Sequence, residues 1–108
     1  MSHCEIIFSD VAANDISLAV DYLIDLAKNP NAAKNLIANI QKTIEQIKAF
    51  PCSFPISNDP ELEAKEIRCA RVGAYVLFYK VLQGLDRVSI VSFLHGKRDF
   101  ASVLVNRY

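Results

Sequence analysis

The sequence predicts an α+β domain in the order β-α-α-β-β-β-α, with a helical hairpin packed on a small, mainly antiparallel sheet. Three observations carry that expectation. Residues 10–48 hold two stretches whose apolar side chains recur every three or four positions, broken only at Asn29-Pro30-Asn31. From Glu66 onward the period changes to that of β-strands. Between the two regimes, PCSFPISNDPELE carries three prolines and no periodicity, which reads as a surface loop. With 108 residues, the chain is expected to form a single domain over 1–108, large enough for one core and too small for two.

The elements follow in order. Glu5 to Phe8, EIIF, suits one short strand. Asp10 offers an N-cap oxygen, and Ile16, Val20, Leu23, Ile24 and Ala27 then mark the apolar stripe of a helix ending near Lys28. Asp15, Asp21 and Asp25 read as its solvated face. Asn31 is placed to cap a second helix, in which Ala33, Leu36, Ile37, Ile40, Ile44 and Ile47 repeat at helical spacing until Pro51. Residues 66–72, 74–82 and 87–95 are β-rich runs divided by Gly73 and by Gln83-Gly84-Leu85-Asp86. In the second of these runs Tyr75, Leu77, Tyr79 and Val81 share a face opposite Val76, Phe78 and Lys80. Strict alternation in the third puts Val88, Ile90 and Leu94 opposite Val91, Phe93 and His95. Both faces are largely apolar, so helices cover one side and another element, or a bound partner, covers the other. Asp99 caps a short C-terminal helix, FASVLV.

Composition excludes several classes. A hydrophobic fraction of 52% and a mean hydropathy of +0.19 fit a folded globule rather than a disordered adaptor. Polar groups interrupt every apolar run before it reaches membrane-spanning length, and MSHCEIIFSD lacks the basic start and apolar stretch of a signal peptide, so a cytoplasmic location with no membrane partner is expected. Cys4, Cys52 and Cys69 are widely spaced and form no C-x-x-C pair, so neither a disulfide framework nor a zinc site is indicated, and no cofactor is implied. Only Cys69, between Arg68 and Arg71, approaches the electropositive setting a reactive thiol needs.

The zero net charge hides an asymmetry. Residues 1–64 carry four lysines against nine acids, whereas residues 65–108 carry eight basic groups against three acids, and every arginine lies in that second part. Segregation of this kind points to a cationic face for an anionic partner; interleaving of the two halves in space is the alternative. The densest cluster is His95-Gly96-Lys97-Arg98-Asp99, at the end of the last strand.

Three stretches, NPNAAKNLIANIQKTIEQIKAFP, IRCARVGAYVLFYKV and VSIVSFLHGKRD, together resemble the RelE/ParE superfamily of bacterial toxins from type II toxin-antitoxin pairs, the plasmid-stabilisation-like group. The resemblance runs from Glu5 to Leu104, and its most typical pieces are Arg-Val-Gly-x-Tyr-x-x-x-Tyr at 71–79 and the HGKRD turn. It implies a toxin neutralised by a cognate antitoxin, with which it forms a hetero-oligomer. RelE-like members cleave messenger RNA on the ribosome, as mRNA interferases, while ParE-like members inhibit DNA gyrase. Some members of the superfamily are not toxic.

Metal-free RNA cleavage needs a base for a 2′-hydroxyl, an acid for the leaving oxygen and cations for the phosphate. The resemblance makes Arg71, His95 and Arg98 the catalytic candidates, with Arg68, Lys97 and Tyr108 as candidates for target binding. Histidine titrates near neutral pH and suits acid-base work, and an arginine grips phosphate with two prongs. Each residue also has a plain structural account: a hydrogen-bonded strand-end histidine, solvated turn charges, an N-cap. This chain departs from the RelE pattern at Ile67, Cys69, Val76 and Leu104, where RelE carries two basic residues, an arginine and a tyrosine; Tyr108, one helical turn further on, stands as a substitute for the last. These departures favour the gyrase branch or a non-toxic member. A ribosome-independent ribonuclease and a pure protein-interaction module are the competing functions.

Overall fold

The structure, a computed structural model, describes residues 4–82, 84 and 86–96. Strand β1 (Glu5–Phe8) leads into α1 (Asp10–Asp21), which widens into a π-helical turn at Tyr22–Leu26. Helix α2 (Pro30–Ala49) and a short helix α3 (Pro60–Ala64) precede β2 (Arg68–Val72), β3 (Tyr75–Leu82) and β4 (Arg87–His95). The four strands form one sheet in the order β1-β4-β3-β2, with β1 parallel to β4 and the other pairs antiparallel. The α+β class and the strand content match the expectation; the helix predicted from Asp99 lies outside the described residues.

Both long helices start one or two residues earlier than the sequence implies. Ser9, not Asp10, caps α1: its Oγ accepts from the Ala12 amide at 3.0 Å and donates to the Val91 carbonyl at 3.3 Å, tying the helix start to β4. Asp10 then lies in the first turn, where its charge suits the helix dipole. Asn29, not Asn31, caps α2, its Oδ1 accepting from the Ala32 amide at 3.1 Å, because Pro30 is well suited to the first helical position. The stripe of α1 also shifts. The Ala27 amide reaches back five residues to the Tyr22 carbonyl at 2.9 Å, and the extra residue in that wide turn leaves Ile24 and Ala27 exposed instead of core-facing.

The helices cover one sheet face. Ala12 and Ala19 of α1 and Leu36, Ile40, Ile44 and Ile47 of α2 pack on Ala70, Val72, Leu77, Tyr79, Val88, Ile90 and Phe93. Strict alternation in β4 had placed Phe93 on the opposite face from Ile90. A β-bulge corrects this: Phe78 pairs with Ser92 and Tyr79 with Ile90, so Val91 is the extra residue and the facing reverses after it. Val91 and Leu94 therefore join Val76 and Phe78 on the second face.

That second face is closed by the chain itself. Leu62 of α3 and Ile67, 1% and 0% exposed, pack with Val76, Phe78 and Leu94. The stretch read as a plain loop contains this helix, capped by Asp59 through a 3.1 Å bond from the Glu61 amide. Residues 55–57 also bridge the β2 edge: the Ser57 amide donates to the Ile67 carbonyl at 2.8 Å and the Cys69 amide to the Pro55 carbonyl at 3.0 Å.

Tyr79 fastens the end of α2 to the sheet. Its hydroxyl donates to the Pro51 carbonyl at 2.6 Å, and burial pushes its pKa up from 10.0 to about 12. The folded state thus keeps a proton that the unfolded chain loses, so this contribution to stability is complete below about pH 10 and disappears as pH rises toward 12. Tyr79→Phe is expected to cost about 1 kcal/mol at neutral pH and to remove that alkaline decline, measured by denaturant unfolding from pH 7 to 12.

Candidate functional site: the β2–β4 end of the sheet

The Arg-Val-Gly-x-Tyr string forms the β2–β3 hairpin. Val72 pairs with Tyr75 across Gly73 and Ala74, and Gly73 takes φ +61°, the positive value that a two-residue hairpin turn demands at its first position. The turn after β4 is tied to this hairpin by the Gly96 amide, which donates to the Ala74 carbonyl at 2.8 Å. Gly96 also lies under Arg71: a Cβ there would come within 3.4 Å of Arg71 Nη1 and 3.2 Å of the Ala74 oxygen. The Arg71 guanidinium therefore rests against the first described part of the HGKRD turn. Lys97, Arg98 and Tyr108 lie outside the described residues.

Arg71 and His95 belong to opposite faces. Arg71 is paired with Val76, and Val76 with Leu94, all on the second face; His95 is paired with Tyr75, on the helix face. Arg71 lines an open cavity of about 510 Å³ with Asn58, Ser57, Cys69 and Val76. His95 stands edge-on to the Tyr75 ring, centroids 5.3 Å apart, and faces α1. The bulge at Val91 is what sends the histidine to the helix side together with Phe93.

The three arginines among the described residues have different surroundings. Arg68 is held against the segment that follows α2, donating through Nη1 to the Phe54 carbonyl at 2.7 Å and the Cys52 carbonyl at 3.3 Å. Arg87 pairs with Glu5 at 3.3 Å across the β1–β4 register. Arg71 is exposed. Two of the basic groups counted along the sequence thus have partners within the chain, and among the described residues Arg71 is the arginine that this edge presents. Cys69, beside it, is no activated nucleophile, since burial pushes its thiol up more than the hydrogen bond with Ser57 lowers it. Among the described residues no group of three histidines, cysteines or acids is placed to hold a metal ion, and no helix is long and apolar enough to cross a membrane.

Sequence reasoning missed Asp15. It was assigned to a solvated face, yet it is 8% exposed and its Oδ2 accepts from Ser92 Oγ at 2.8 Å and the Phe93 amide at 3.1 Å. The signal was its position: Asp15 falls between Ala12 and Ala19 on the buried stripe at spacings of three and four.

The fold and this edge define a small α+β domain, a two-helix layer on a four-stranded sheet, with an arginine displayed where the last two hairpin strands end. Residues 6–100 match the family described as ParE toxin of type II toxin-antitoxin system, parDE, and the chain belongs to that family as a toxin component. Its fold is similar to a solved chain of the chromosomal ParDE TA system from P. aeruginosa, with a TM-score of 0.62 over 85% of this chain and 95% of that one at 14% identity. No curated protein matches the sequence.

Proposed function

We propose that this toxin acts by binding DNA gyrase through the edge around Arg71, without cutting RNA, and that a cognate antitoxin neutralises it. One observation carries the choice between the branches: the placement of Arg71 and His95 on opposite faces of the sheet, which does not aim these two side chains at one phosphate. The ParE match agrees with it, since ParE-like toxins are the gyrase-inhibiting branch. So do the uncharged residues Ile67, Cys69 and Val76, where RelE-type nucleases carry cations.

In this reading Arg71 is a contact residue, its charged fork offered from a rigid strand and braced by Gly96. His95 supports the hairpin through its contact with Tyr75. The test is inhibition of purified gyrase in a supercoiling assay. Arg71→Ala is expected to raise the inhibitory concentration about thirtyfold with an unchanged melting temperature, the loss typical of an interface hot spot. His95→Ala is expected to inhibit within about twofold of the parent. Gyrase left untouched by the parent protein, together with RNA cleavage that His95→Ala abolishes, would refute the proposal.

A further inference from the structure

On the helix side of the same sheet end lies a second feature that the toxin reading does not use. The last turn of α1, the π-turn and the ends of β3 and β4 enclose a cleft of about 170 Å³, the size of a single side chain. Its walls are aromatic. Tyr75 stacks on Phe93 at 5.0 Å with the rings 9° from parallel, His95 stands edge-on to Tyr75, and Tyr22 also lines the cleft. Asp15 also lines it, with Oδ2 held by the Ser92 hydroxyl and the Phe93 amide. Leu18 and Tyr22, 59% and 53% exposed, form an apolar rim.

We infer that this cleft binds the cationic head of a lysine or arginine side chain from a protein partner, between the rings of Tyr22 and Tyr75 and near the Asp15 carboxylate. Three features select a cation. Ring faces carry negative potential and attract ammonium and guanidinium groups, most strongly where water is thinned, and the Tyr75 hydroxyl is partly desolvated, its pKa pushed up by burial and by the neighbouring Tyr22. The helix that forms one wall carries one sign: every charged side chain from Asp10 to Ala27 is acidic, namely Asp10, Asp15, Asp21 and Asp25. An anionic guest would meet repulsion there, and a neutral polar one would gain nothing from that field. The rim completes the fit, since Leu18 and Tyr22 offer apolar surface to the methylene stem of a long basic side chain. This site lies across the sheet from Arg71 and holds independently of what the toxin attacks: one face presents a cation, the other receives one.

The experiment is an NMR titration of the full chain with two short probes, acetyl-Leu-Arg-Leu-amide and its citrulline counterpart, which has the same shape and no charge. The expected result is saturable shifts at the rings of Tyr22, Tyr75 and His95, with the arginine peptide binding at least about fivefold more tightly than the citrulline peptide. Tyr22→Leu, at an exposed position and therefore compatible with folding, is expected to remove most of that preference while leaving the spectrum of the β-sheet unchanged. Equal affinity for the two peptides, shifts confined to other residues, no saturable shift at these rings, or a preference that survives Tyr22→Leu would each overturn the inference.

Discussion

Phe78→Ala is expected to lower the stability of this protein by about 4 kcal/mol and its melting temperature by roughly 15–25 °C. Phe78 is 0% exposed and lies on the sheet face away from the long helices, where Leu62, Ile67, Val76 and Leu94 surround it. Truncation there removes a ring from a small cluster, and α3, five residues long with Leu62 as its buried anchor, has little other purchase on the sheet. The cavity term is therefore added to the lost burial, against a total stability of about 5–15 kcal/mol for a domain of this kind. Thermal unfolding followed by circular dichroism measures the shift. A loss under about 1 kcal/mol would show that the second face is not a core.

The next largest effect is expected at Asp15. Asp15→Ala removes the acceptor of both the Ser92 hydroxyl and the Phe93 amide, and leaves two buried donors beside the bulge without it. Hydrogen bonds to a charged acceptor contribute about 1.5–3 kcal/mol each and are not additive, so a loss of about 3 kcal/mol is expected. Asp15→Asn keeps one acceptor oxygen and is expected to cost about 1 kcal/mol. Hydrogen exchange at the Phe93 amide gives a local reading of the same bond: protection is expected to fall in Asp15→Ala more than at Leu77 or Ile90. Uniform loss across the sheet would mean that Asp15 contributes only to global stability.

The alternation of Tyr75, Leu77 and Tyr79 against Val76 and Phe78 was readable because nothing interrupts the pairing of β3 with β2. In β4 the same rule failed at one residue. Val91 and its neighbours carry no glycine or proline to announce a bulge, and the apolar side chains on both sides of it fit either face, so only the register with β3 reveals the reversal. The consequence reached the candidate site, because His95 inherits its face from that bulge. Arg68 and Arg71, three positions apart in β2, face opposite sides as period-two spacing requires, and contacts with the Phe54 and Cys52 carbonyls hold Arg68 against the segment that follows α2. Helix α3 went unseen because five residues with one buried leucine generate no periodicity.

The charge pattern was legible in sign, but not in which of the described arginines the fold would pair. The sequence separates acidic and basic halves, yet folding spends Arg87 on Glu5 and Arg68 on backbone carbonyls, leaving Arg71 displayed beside the turn and an acidic α1 on the other side of the sheet. Surface pairs such as Lys48 with Glu45, at 3.6 Å and largely solvated, add little to stability.

The central claim is that the fold presents Arg71 to a protein target and keeps it apart from His95. Its most direct test is induced expression in a bacterial host without antitoxin, with plasmid supercoiling and messenger RNA integrity followed in the same cells. Growth arrest with loss of supercoiling and intact messenger RNA, abolished by Arg71→Ala and retained by His95→Ala, is the predicted result. Arrest accompanied by ribosome-dependent RNA cleavage with supercoiling preserved would contradict it.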